Sequence, residues 1–98
     1  MRVLFSNEAE NDLELIGDFI AKDNPRRAYT FIQELRGKCE ALADMAASFP
    51  LVPRYERYGF RRRVHGEYLI FYWVNDDQVW IVRILHGAID YAAILFED

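Results

Sequence analysis

Three consecutive arginines, Arg61-Arg62-Arg63, lead into an aromatic-rich stretch, and a fourth, Arg83, follows it. A guanidinium fork grips a carboxylate or phosphate through two N–H donors, so several on one surface select an acidic partner. The alternative is a solvated edge strand, where charge discourages unwanted strand pairing. His86 stands before Gly87 at the end of a patterned stretch, where a histidine serves as a structural hydrogen-bonding residue or as a general base. The single cysteine, Cys39, excludes an intramolecular disulfide. It lies on an apolar stripe and reads as a small buried hydrophobe, not a reactive thiol. Positions 39, 65 and 86 hold the only cysteine and the two histidines, without ligand spacing, so neither a metal nor a cofactor is expected.

The charge is unevenly placed. Residues 1–53 carry six basic and nine acidic groups, residues 54–63 five Arg and one Glu, and residues 64–98 one Arg and six acids. The sum is a formal net charge of -4, which argues against a general nucleic-acid coat protein and against direct sequence-specific nucleic-acid binding. A chain of 98 residues, 52% apolar and 15% aromatic, has enough for one core, so residues 1–98 are expected to form a single domain. There is no charged-then-apolar leader and no run of about 18 apolar residues. A soluble cytoplasmic protein with no membrane contact is therefore expected.

The elements that must position the arginines follow from hydrophobic spacing. Arg2 to Phe5 reads as a strand, and Ser6 or Asn7 can cap the helix after it, with Asn7 and Glu10 spaced as in a capping box. Ala9, Leu13, Ile16 and Ile20 form the apolar stripe of a first helix, with acids elsewhere. Asn24-Pro25 ends that helix and opens another, bearing Ala28, Phe31, Ile32, Leu35, Cys39 and Leu42 on one side. So short a junction gives an antiparallel helical hairpin. After a loop with Pro50 and Pro53, strands are expected at Phe60–Val64, Glu67–Val74 and Gln78–His86, turning at His65-Gly66 and Asp76-Asp77. The fold class is α+β: an N-terminal strand, then a two-helix hairpin packed on a three-stranded antiparallel meander.

Two-residue turns fix a register. Arg63 then opposes Tyr68, Arg62 opposes Leu69, Arg61 opposes Ile70, Trp73 opposes Trp80, Phe71 opposes Val82 and Ile70 opposes Arg83. Phe60, Leu69, Phe71, Trp73, Trp80, Val82 and Ile84 would then lie beneath the helices, with Arg62 snorkelling from the sheet edge. Arg61, Arg63 and Arg83, among Tyr68, Ile70, Tyr72, Ile81 and Leu85, would form an uncovered face suited to a partner. A one-residue slip in either hairpin exchanges its faces.

The order of elements resembles the RelE/ParE superfamily of type II toxins over nearly the whole chain. The motifs are similar to its ParE branch: Ala9-x-x-Asp12-Leu13-x-x-Ile16, Asn24-Pro25-x-x-Ala28, Gly59-x-Arg61-Arg62, Tyr68-x-Ile70-x-Tyr72 and Val82-Arg83-Ile84-Leu85-His86-Gly87. Ile89-Asp90 stands where members often carry Arg-Asp, which removes a cation near the sheet's end. The resemblance implies a plasmid-stabilising toxin that poisons DNA gyrase without an active site of its own. It also implies a hetero-oligomer with a cognate ParD-like antitoxin. Arg61, Arg63, Tyr68, Ile70, Tyr72, Arg83 and Leu85 are the expected antitoxin contacts.

Resemblance to the RelE branch implies an alternative, a metal-independent, ribosome-dependent mRNA endoribonuclease. Glu67, His86 or Tyr91 would transfer protons there, and Arg61, Arg63 and Arg83 would stabilise the phosphorane. Against it, the only lysines, Lys22 and Lys38, fall on helices, and the acidic C-terminal third repels phosphate. A third reading is an inert relative kept to regulate its own operon. Tyr91, Ile94, Leu95 and Phe96 make the C-terminal stretch apolar, either to pack on the core or, as the resemblance suggests, to contact gyrase.

Overall fold

The computed structural model describes residues 1–96, so the expected domain and its C-terminal stretch are followed as far as Phe96; Glu97 and Asp98 lie outside the described residues. The elements are β1 (Arg2–Phe5), α1 (Asn7–Ala21), α2 (Pro25–Glu40), β2 (Arg61–His65), β3 (Tyr68–Val74), β4 (Gln78–His86) and α3 (Tyr91–Leu95). Ser6 caps α1, its Oγ accepting from the Ala9 N–H at 2.9 Å, so Asn7 is the first helical residue and not the cap. Asn24 caps α2 through the Arg27 N–H at 3.0 Å, with Pro25 in the first turn as the sequence implies. The four strands form one mixed sheet in the order β1-β4-β3-β2, with β1 parallel to β4 and the other neighbours antiparallel.

In the first hairpin each β2 residue meets a partner two positions further along β3 than expected, which moves the turn by one residue and keeps the same side chains on each face. His65 pairs with Tyr68, Arg63 with Ile70, Arg62 with Phe71 and Arg61 with Tyr72, so the turn is centred on Gly66-Glu67. The reason is local: a turn with positive φ only at its first central position needs glycine there, and Gly66 has φ +59°. The second hairpin keeps the expected Trp73–Trp80 pair. Its register then shifts at a bulge: Tyr72 opposes Ile81 but Phe71 opposes Arg83, leaving Val82 as the extra residue.

The faces are also the reverse of the expectation. Ile70, Tyr72, Val79, Ile81 and Ile84 lie beneath α1 and α2, packed with Ala9, Leu13, Ile16, Phe31, Leu35 and Cys39. Leu69, Phe71 and Leu85 lie on the opposite face, covered by Val52, Tyr55, Phe60, Tyr91, Leu95 and Phe96. Of the residues expected under the helices, Ile84 is there, whereas Trp73 is exposed and Trp80 and Val82 are half-buried. The cause is visible in β3. Tyr68 to Val74 is apolar at every position, and Leu69 to Tyr72 is buried on both faces, so the strand has no alternation from which to tell one face from the other.

Cys39 is fully buried in the helix–sheet core, and burial pushes its thiol pKa up to about 12. The native protein should therefore leave a maleimide essentially unreacted at mildly alkaline pH, and guanidinium chloride should release one equivalent. Rapid labelling of folded protein would contradict this packing.

Candidate functional site

Strand β1 stops early, and the candidate site begins where it stops. Its last pair is Phe5 with Ile81, so the adjoining edge of β4 beyond Ile81 has no strand to bond. Side chains from the start of α1 take over. Ser6 Oγ donates to the Val82 carbonyl at 2.7 Å, and Asp12 Oδ2 accepts from the Ile84 N–H at 2.9 Å. The same carboxylate accepts from Arg83 Nε at 2.8 Å and Nη2 at 2.9 Å, a bidentate pair with Asp12 only 5% exposed. The hydrogen bonds that Arg83 donates to Asp12 hold its guanidinium above the ordinary pKa.

Next to this pair runs a groove of about 320 Å³. One wall is α1, where Leu15 and Phe19, four residues apart, are 57% and 65% exposed. The other includes Ile89 and Ile94, 44% and 42% exposed, and Tyr68, Ile84, Leu85 and His86 also line the groove, with Ile16 and the Asp12–Arg83 pair at its base. His86 Nδ1 accepts from the Ala88 N–H at 3.0 Å, so its Nε2 is the protonated nitrogen that meets Glu67 Oε1 at 3.0 Å. Both ring nitrogens are thus occupied by structural bonds. The His86 ring stands edge-on to Tyr68, 5.2 Å between centroids, and burial raises the pKa of the Tyr68 hydroxyl.

The expected convergence of Arg61, Arg63 and Arg83 does not occur. Arg61 Nη1 donates to the Phe49 carbonyl at 2.7 Å. Arg63 Nη1 donates to the Lys38 carbonyl at 3.0 Å, an acceptor left open at the end of α2, and its guanidinium lies 4.7 Å from the Phe49 ring centre. Arg83 holds Asp12. All three therefore engage the helical side of the molecule or the segment that follows it, because the helices cover the face of the sheet that carries Ile70 and Tyr72, the partners of Arg63 and Arg61. Ile70, Tyr72 and Leu85 are buried within the chain and do not form an open face. Among the expected antitoxin contacts, Tyr68, Arg83 and Leu85 line the groove.

The other candidates separate similarly. Glu67 meets His86, but Tyr91 lies elsewhere, its hydroxyl accepting from Arg62 Nη1 at 2.9 Å. Phe96 is buried and stacks on Tyr55 at 4.4 Å, and Tyr91 and Leu95 pack in the same cluster. The C-terminal stretch covers the sheet, and only Ile94 of Tyr91, Ile94, Leu95 and Phe96 is largely exposed within the groove. Sequence spacing missed Asp12, Leu15 and Phe19. Yet Asp12 sits three residues after Ala9 and four before Ile16, within the apolar stripe, and Leu15 and Phe19 fall outside it where polar residues belong.

A family model described as the ParE toxin of type II toxin-antitoxin system, parDE, matches residues 3–91. This chain belongs to that ParE toxin family. No curated protein matches it. Among solved structures, a chain of the chromosomal ParDE toxin–antitoxin system from P. aeruginosa superposes with a TM-score of 0.71 at 20% identity, covering 88% of this chain and 95% of that one. A chain of the toxin–antitoxin complex RelBE2 from Mycobacterium tuberculosis superposes with a TM-score of 0.55 at 23% identity, covering 87% and 95%. Both share the fold, and the ParE family match runs from β1 to the first residue of α3.

Replacing Asp12 with Ala leaves the Arg83 charge and the Ile84 N–H without their acceptor. The expected cost is about 3 kcal/mol of unfolding free energy in urea titrations. Phe19→Ser removes an exposed side chain and should shift stability by about 0.5 kcal/mol or less. Equal effects would show that α1 is not anchored through Asp12.

Proposed function

We propose that this chain is a toxin that inhibits DNA gyrase and blocks replication, and that a ParD-like antitoxin neutralises it by laying an apolar segment along the α1 groove. The observation that carries the reading is the family match over residues 3–91, together with a groove whose apolar rim, Leu15, Phe19, Ile89 and Ile94, is left open. An amphipathic segment that folds on binding needs such a run of anchors. The solved relative from P. aeruginosa is part of a ParDE system, which supports an antitoxin partner. Tyr68, Arg83 and Leu85 would contribute contacts from within the groove, while Arg61, Arg63, Ile70 and Tyr72 support it from inside the fold. Gyrase contact by the C-terminal stretch would fall to Ile94, since Tyr91, Leu95 and Phe96 hold the sheet.

The ribonuclease alternative has less support in the geometry. Arg61, Arg63 and Arg83 are each bound to a different structural acceptor, and both nitrogens of His86 are engaged. No described pair of these cations is gathered with Glu67 or Tyr91.

Leu15→Glu and Phe19→Glu should each weaken the antitoxin complex by about 2 kcal/mol, roughly thirtyfold, with little change in the fold. Titration calorimetry with the cognate antitoxin reads this, and unchanged affinity in both variants would remove the groove from the interface. Purified toxin should raise gyrase-dependent DNA cleavage and leave ribosome-bound mRNA intact. The opposite pattern would establish the ribonuclease reading.

A further inference from the structure

On the sheet face away from α1 and α2, two adjoining hollows of about 490 and 350 Å³ share Tyr55, Asp90 and Ala92. Arg57 and Tyr58 line the first, and Arg54, Arg62 and Tyr91 line the second. These arginines belong to the 54–63 segment, which holds five Arg and one Glu. Among the described residues, none of those five arginines forms an ion pair; the salt bridges use Arg27, Arg36, Arg83 and the two histidines. Arg61 and Arg63 are committed to backbone carbonyls on the helical side. Arg54 and Arg57 are exposed, and Arg62 is half-buried. Arg57 lies 4.7 Å from the centre of the Tyr58 ring, and Arg62 Nη1 donates to the Tyr91 hydroxyl. Three guanidinium groups thus line two adjoining hollows and, among the described residues, none of them is ion-paired. Asp90, the acid that lines both hollows, caps α3 by accepting from the Ala93 N–H at 3.4 Å.

We propose that these hollows seat an extended acidic peptide segment of a partner protein, whose carboxylates pair with Arg54, Arg57 and Arg62. Ile89, Ala92, Ala93 and Phe96 supply apolar walls for side chains alternating with the acids. A nucleic-acid strand fits less well. The flanking segments carry net charges of -3 and -5, which repel a long polyanion, whereas a short acidic segment keeps its charge over the arginines. Planar guanidinium groups also match carboxylates bidentately. The site borders the α1 groove at Ile89 but draws on different cations, so it stands or falls independently of what occupies that groove.

The test is fluorescence anisotropy of a labelled peptide of alternating Glu and Leu, titrated with the full chain. Binding should weaken as salt rises and drop at least tenfold in R54Q/R57Q/R62Q, while Phe19→Glu leaves it unchanged. The double variant R54Q/R57Q keeps the Arg62–Tyr91 bond, so it serves if the triple variant does not fold, and should lose at least threefold. Absence of binding, or equal binding by these variants, overturns the proposal. Tighter binding of an oligothymidylate that is lost in the same variants overturns it in favour of a nucleic-acid surface.

Discussion

A strand edge inside a fold must have its N–H and C=O groups satisfied, and β4 runs past the end of β1 with that need unmet. The solution places Ser6 against the Val82 carbonyl and Asp12 against the Ile84 N–H, so the first turns of α1 stand in for the missing strand. Asp12 brings a buried negative charge with it, and burial of a charge is tolerated only when it is paired and hydrogen-bonded. Arg83 supplies that pairing through both Nε and Nη2. The bulge at Val82 lies immediately before it in β4. A well-packed apolar pair could match the tie in stability; what it adds is a fixed position for α1 against β4. That position sets the spacing of the groove, since Leu15 and Phe19 ride on α1 while Ile84, Leu85 and His86 come from β4.

Much of the fold was legible in the sequence because helices and turns advertise themselves locally. Asn24-Pro25 and the stripe Ala28, Phe31, Leu35, Cys39 specify α2 with little help from the rest of the chain. The strands of the meander were equally clear. Which way each strand faces was not, because a strand covered on both sides has no polar side to mark the solvent, and Leu69 to Tyr72 of β3 is such a stretch. The covering layer, Val52, Tyr55, Phe60 and Phe96, comes from segments without strong periodicity, so its presence could not be inferred from pattern alone. A glycine in the first central position of its turn did carry the correct register, at Gly66.

The arginines show the same division between composition and placement. Their concentration in residues 54–63 is plain from the sequence, and among the described residues none of them forms an ion pair. Which of them serve structure depends on strand direction. Arg61 and Arg63 fasten the 38–49 segment to β2, whereas Arg62, between them, points to Tyr91 on the other side. The molecule's surface also carries an apolar groove beside α1 and, on the other side of the sheet, hollows lined by arginines.

The most direct measurement of the account is a double-mutant cycle between Asp12 and Arg83, with unfolding free energies determined for the parent, D12A, R83A and the double variant. Direct pairing through two charge-assisted hydrogen bonds predicts a coupling of about 2 kcal/mol. Losses that add to within about 0.3 kcal/mol would contradict it and leave α1, and the groove built on it, without the anchor described here.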